Sequence, residues 1–280
     1  IAELNSGINP MEAKRKKIKQ MALLAEVLER YFDGRDLKPL TVKDYRYKLK
    51  LGFSDWLKKP INSITEDMVL KRQKMISQEK GNTTANTTMR VLRLTFNYAV
   101  AVGITDSNPV SILSKVRLWH KNKRKDQIIP SAQLKAWHES VETLPNQKAK
   151  AYLLLALYMG FRREELLKIE WSHVDISAKT IKVYDSKNRT DLIQPIPEHM
   201  MPYINALKIN TGFSKWVLPG ILPGKHMTVP IRPIKSVIQS SGVDFSSNDC
   251  RRTFCTIAEA VNLPMSMIKR LMNHVTTNDV

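Results

Sequence analysis

Residues 118–129 read LWHKNKRKDQII, a stretch with few apolar side chains and with Lys121, Lys123, Arg124 and Lys125 close together. Neighbouring cations cannot enter an apolar interior without partners, because the lost hydration outweighs the packing gained. The stretch is therefore the best candidate for a basic interdomain linker, with a solvated loop as the alternative reading, and as a linker it divides the 280-residue chain into two domains, each expected to build its own core. The expected division is residues 1–19 as the tail of an upstream segment or a linker, 20–117 as a helical domain, 118–129 as the linker and 130–280 as a mixed domain.

The first part is helical by periodicity. MALLAEVLERYF spaces its apolar residues for one helix face. Pro39-Leu40-Thr41 opens a second helix, with Thr41 as its expected N-cap, a body reaching Leu57 and a stop at Pro60. Thr65 caps a third, with Glu66 and Asp67 in the first turn where the helix dipole favours acids, and Gly81 closes it. Asn82 to Val102 forms a fourth. In the second part, Ser131 is expected to cap a helix, AYLLLALYM forms a very apolar helix stopped by Gly160, and REELLKIEW forms another. TIKVY and LIQPIP flank a turn-like segment as a β-hairpin with Lys187 near its tip. SSNDCRRTFCTIAEAV and PMSMIKRLMNH return to helix. The fold class is mainly α with a small β-hairpin or sheet, α+β.

Charge points to the partner. Forty-five Lys+Arg against 26 Asp+Glu give +19 and a pI near 9.9, the balance of a surface that binds a polyanion, nucleic acid first. No apolar run approaches the ~18–20 residues of a membrane span, no secretory h-region is visible, and no basic helix with a strong apolar face marks a membrane-surface protein. Cys250 and Cys255 cannot build a disulfide framework or a Cys-rich zinc site; they read as small buried hydrophobes in a reducing, cytoplasmic compartment. The first residue is Ile1, so a fragment or processed product is expected.

The chemistry must come from cations and hydrogen-bond donors. There is no H-E-x-x-H, P-loop or G-x-G-x-x-G, nor a carboxylate cluster spaced for two metals. Arg162 follows a helix end in GFRREE, Arg251 and Arg252 read as the start of a helix whose N–H groups favour an anion, Lys187 projects from the hairpin and His274 lies near the end. Two arginines from distant sequence can hold phosphate oxygens and stabilise the charge of a five-coordinate phosphorus.

In this order GFRREELLKIEWSHVD, the hairpin lysine, NDCRRTFCT and LMNH resemble the catalytic domain of tyrosine recombinases of the phage-integrase type. The helical segment, through TVKDY and TTANTTMRVLRLTFNYAV, is similar to their core-binding domain, and GINPMEAKRKK to the end of an arm-binding domain. The resemblance implies a clamp of two domains around double-stranded DNA, four protomers pairing two attachment sites, excision or host DNA-bending proteins as accessory partners, and neither metal nor cofactor. By position, Arg162 and Arg251 match the two family arginines, Glu165 the acid that buttresses the first, Lys187 the general acid and His274 the histidine that hydrogen-bonds the scissile phosphate. Arg163, Arg252 and the four linker cations are expected on DNA; for Arg252 the expectation is backbone phosphate or solvent.

Three departures accompany the match. Asn248 stands where the family has histidine and cannot shuttle a proton near pH 7. Asn273 replaces a glycine, a change expected to be tolerated within a helix. The nucleophilic tyrosine is expected just past Val280; Tyr152, Tyr158, Tyr184 and Tyr203 precede the last motif and read as packing residues, so cleavage by the chain as given is not expected. The expected activity is strand cleavage and rejoining through a 3′-phosphotyrosine, integrating or excising a prophage or genomic island. The rival readings are a non-catalytic DNA-binding regulator on the same scaffold, a type IB topoisomerase and an RNA-binding scaffold.

Overall fold

The computed structural model describes residues 21–123, 125–184 and 191–273. The chain divides into two compact units between Arg124 and Lys125.

The first unit is built on α1 (Leu24–Asp33), α2 (Pro39–Phe53), α3 (Glu66–Lys80) and α4 (Asn82–Ala101), followed by the short α5 (Ile112–Lys115). Leu24, Val27, Leu28, Tyr31 and Phe32 recur at helical spacing on α1, and all five are buried. The long α4 packs against each of α1, α2 and α3. Its buried Thr88 and Thr95 hydroxyls bond back to carbonyls of the preceding turn, which lets polar side chains enter this core. The α2 boundaries differ from expectation. Lys38 is the N-cap and Pro39 takes the first turn, where a missing N–H is harmless, so Thr41 lies inside the helix. The helix ends at Phe53, ahead of Pro60, because Trp56 and Lys59 turn the chain so that Leu24 N–H can reach the Lys59 carbonyl (3.0 Å). Thr65 caps α3 through its Oγ1 (3.3 Å to Met68 N).

The second unit contains α6 (Leu134–Glu142), α7 (Gln147–Tyr158), α8 (Arg163–Leu167), strands β1 (Val174–Asp175), β2 (Thr180–Val183) and β3 (Leu192–Pro195), then α9 (Met201–Thr211), α10 (Ile231–Ser241), α11 (Ser247–Ala260) and α12 (Met265–Leu271). Ala149 and Ala151–Leu157 of α7 are all buried, as expected of a helix apolar on every face; α6, α9 and α11 surround it. The strands form an antiparallel sheet in the order β1-β2-β3, with Val183 opposite Leu192. Ser131 does not cap α6: a 3-10 turn over Ser131–Gln133 precedes it. The predicted REELLKIEW helix is only five residues long, because Ile169 and Trp171 exchange backbone hydrogen bonds with Val217 and Lys215 instead (3.0 Å each).

The 118–129 stretch is pinned at both ends. Gln73 Nε2 donates to the Leu118 carbonyl (2.7 Å) and Asn86 holds His120 by its carbonyl (2.8 Å) and N–H (3.2 Å). Within the second unit, Ile129 is buried.

Candidate active site

Arg162 is the residue through which the chain enters α8, in extended conformation. Its backbone N–H donates to Glu165 Oε2 (2.8 Å) and its Nη1 to Glu165 Oε1 (2.7 Å), while Nη2 donates to the Asn273 carbonyl (3.1 Å). One carboxylate, with its side chain 3 % exposed, thus closes the start of the helix and pairs with the guanidinium. Arg251 arrives from α11. Its guanidinium donates to the carbonyls of Gly160 and Met272, and Nη1 stands 4.0 Å from Glu165 Oε2. The fold therefore brings Arg162, Glu165 and Arg251 together.

The Arg251 side chain is 10 % exposed and that of Arg162 27 %. Burial, and then the Arg162 charge, lower the Arg251 guanidinium to about 10, with Glu165 opposing the shift. Two guanidiniums over one buried carboxylate leave an excess positive charge where water is scarce. An oxyanion is the complement of such a site, through charge and through the planar donor fork of arginine.

Two of the three carbonyls that receive the arginines, those of Gly160 and Asn273, belong to residues in the left-handed region. Gly160, just past α7, has φ +60°, and a Cβ there would lie 2.5 Å from Phe254 Cδ1. Asn273 has φ +48° and its N–H returns to the Arg270 carbonyl (3.0 Å). It is therefore not a helix-interior residue, as expected from sequence, but the left-handed residue after α12; asparagine tolerates that conformation better than most side chains.

Asn248 is exposed in the first turn of α11, three residues before Arg251 and so on the same helix face. Arg251 and Arg252 do not begin this helix; it starts at Ser247 and they occupy its second turn. Arg252, expected on phosphate or in solvent, directs Nε to the Gln127 carbonyl (2.8 Å) and Nη2 to Asp249. Arg163 is exposed and pairs with Glu164 (3.1 Å), and Lys121, Lys123 and Lys125 are exposed. Arg124, Lys187, His274 and residues 1–19 lie outside the described residues.

Sequence reasoning missed Asp249, whose Oδ2 accepts Ser246 N–H (2.7 Å) and Oγ (2.8 Å). The Ser-x-x-Asp spacing of a capping box was the available signal. It also missed the buried Tyr152–Ser247 hydrogen bond (2.8 Å) from α7 to α11. Tyr158 packs on His199, Tyr184 on His173, and Tyr203 donates to Glu142. Burial pushes the Cys250 and Cys255 thiols up, which keeps them protonated. Among the described residues no three His, Cys, Asp or Glu side chains are placed to hold a metal ion, and no helix is long and apolar enough to cross a membrane.

Comparison with known proteins covers both halves of the chain. The Phage integrase family matches residues 127–280. Prophage integrase IntF of Escherichia coli K12 is 29 % identical over 154 residues, 53 % of this chain and 33 % of that protein. A Tyrosine recombinase XerC-like protein of Caldanaerobacter subterraneus subsp. tengcongensis is 28 % identical over 123 residues, 43 % of this chain and 32 % of that protein. The matched region thus spans about a third of the length of these curated relatives. The lambda integrase tetramer bound to a Holliday junction superposes with a TM-score of 0.77 at 17 % identity, covering 98 % of this chain and 83 % of that one. The Tn1549 transposon integrase in complex with circular intermediate DNA gives 0.72 at 17 %, covering 91 % and 92 %. Those two likenesses establish a shared fold, and the family match takes in the whole arginine-bearing unit from Gln127 onward: the chain belongs to the phage integrase family.

Proposed function

We propose that this chain is the core-binding and catalytic part of a site-specific DNA recombinase that cuts and rejoins attachment sites of a prophage or genomic island. The observation that carries the reading is the convergence of Arg162 and Arg251 over buried Glu165. In the reaction a tyrosine hydroxyl, expected on a segment after Val280, attacks the scissile phosphorus; the P–O5′ bond breaks and a 3′-phosphotyrosine forms. Arg162 and Arg251 hold the non-bridging oxygens as charge builds on them. Asn248 donates a hydrogen bond to the same phosphate, His274 a second, and Lys187 protonates the departing 5′ oxygen. The 5′ hydroxyl of the partner strand reverses the step, so the phosphodiester energy is conserved and no nucleotide is consumed. Arg163 and the linker cations contact backbone phosphate, four protomers pair two sites, and DNA-bending proteins assist.

The test uses the full-length protein, EDTA and a nicked duplex from the boundary of the element that encodes it. A covalent protein–DNA band is expected. Arg162→Ala and Arg251→Ala should each slow its formation by about 10²–10³-fold while DNA affinity stays within about threefold; a variant that cleaves at the parent rate removes that arginine from the assignment. The exposed Asn248, unable to carry a proton near pH 7, favours a second reading, a DNA-binding regulator without strand cleavage. Tight site binding with no covalent band in the parent protein would establish it.

A further inference from the structure

The segment that enters the second unit is fastened onto α11 and onto the turn that leads into it. Ile129 N–H donates to Thr253 Oγ1 (2.8 Å), Arg252 Nε to the Gln127 carbonyl (2.8 Å) and Gln127 Nε2 to the Asp244 carbonyl (2.9 Å). Ile129 and Thr253 are each 1 % exposed, so this N–H has no water to fall back on. The Thr253 hydroxyl donates its own proton to the Asp249 carbonyl (2.8 Å). Arg252 Nη2 pairs with the Asp249 carboxylate, the same group that closes the capping box with Ser246. One network therefore runs from residues 127–129 to the first turn of α11, and its members flank Asn248 and Arg251 in sequence.

We infer that Arg252 and Thr253 are positioning residues, clamping residues 127–129 onto α11 and so setting the register of the helix that presents Asn248 and Arg251. The inference rests on the reading of Arg251 as a phosphate-binding group. Arg251 reaches two carbonyls outside its own helix, those of Gly160 and Met272. A small slide or rotation of α11 therefore moves the guanidinium against a fixed backbone frame, and a misplacement of ~1 Å in such a site can slow a reaction on the order of 10²-fold. Arg252 as a phosphate contact makes the opposite forecast: its charge would matter and its geometry would not.

The experiment compares Arg252→Ala, Arg252→Lys, Thr253→Val, Thr253→Ser and Gln127→Ala in the full-length protein, with Arg251→Ala as reference. It reads covalent cleavage of the nicked duplex, DNA affinity across a salt series, and thermal unfolding. Arg252→Ala and Thr253→Val should cleave about 10–100-fold more slowly, with affinity and salt slope unchanged. Arg252→Lys keeps the charge but not the fork, and should stay slow. Thr253→Ser keeps the hydroxyl and should match the parent. Gln127→Ala, an exposed side chain, loosens the same strap without a buried cavity and should show a several-fold loss even if Thr253→Val fails to fold. Recovery of cleavage in Arg252→Lys, together with a salt slope shallower by about one in Arg252→Ala, overturns the inference in favour of a phosphate contact. Full activity in Thr253→Val or Gln127→Ala overturns it as well. Parent-like cleavage by Arg251→Ala would instead sink the reading of the site; an inactive Arg251→Ala beside fully active clamp variants sinks the clamp alone.

Discussion

Gly160 does two jobs at one position. Its φ of +60° turns the chain out of α7, and its carbonyl receives Arg251. A side chain there meets the Phe254 ring at 2.5 Å and sits in a region that costs an L-residue about 1–2 kcal/mol. Gly160→Ala should therefore lower stability by about 2 kcal/mol or more once the ring overlap is added. Urea denaturation of the folded protein measures this, and an unchanged midpoint would show that Phe254 and the backbone yield freely. The Arg251 charge behaves differently. Because its folded value lies near 10, below the ordinary arginine value, holding the cation opposes folding at every pH below about 10. That opposition fades only as the proton leaves above it. At neutral pH Arg251 is thus a constant positive charge.

At the scale of elements, Glu142 joins three helices. Tyr203 of α9 donates to its Oε1 and Lys150 of α7 to its Oε2 (3.3 Å), while Glu142 itself ends α6. Burial works against the Glu142 charge, but the Tyr203 and Lys150 hydrogen bonds prevail and hold the carboxyl below its usual range. The sign follows: this stabilisation is complete above the unfolded carboxyl value of about 4.3 and is lost as pH falls through the lower folded value. Tyr203 is raised to about 12 by the Glu142 hydrogen bond and by burial, so its share persists below pH ~10 and disappears toward 12. Tyr203→Phe should cost about 1 kcal/mol at pH 7. The difference from the parent should vanish at both pH extremes in a stability–pH series; a constant difference across pH would assign the loss to packing instead.

On the scale of the whole molecule, two hydrophobic cores share no residue, and the exposed cations Lys121, Lys123 and Lys125 lie in the chain between them. If these and Arg124 ride on DNA backbone, each phosphate contact releases counterions. Neutralising all four should make the plot of log affinity against log salt shallower by about two to four. Fluorescence anisotropy over a salt series reads this directly, and an unchanged slope would place the linker away from DNA.

Local pattern alone determined much of this protein. Helices α1 to α4 were legible because amphipathic spacing and side-chain caps such as Thr65 act over a few neighbouring residues. Arg162, Glu165 and Arg251 were legible as members of a motif. Tertiary structure decided the rest, for a common reason: the partners are backbone groups from distant segments, which leave no mark in sequence. The carbonyls of Gly160, Met272 and Asn273 that set the arginines are of this kind, as are the Val217 and Lys215 backbone groups that cut α8 short. Arg252 shows the limit most plainly. Its charge suggested DNA; the Asp249 carboxylate is a neighbour on the same helix, but the Gln127 carbonyl reaches it only after the chain has folded back on α11.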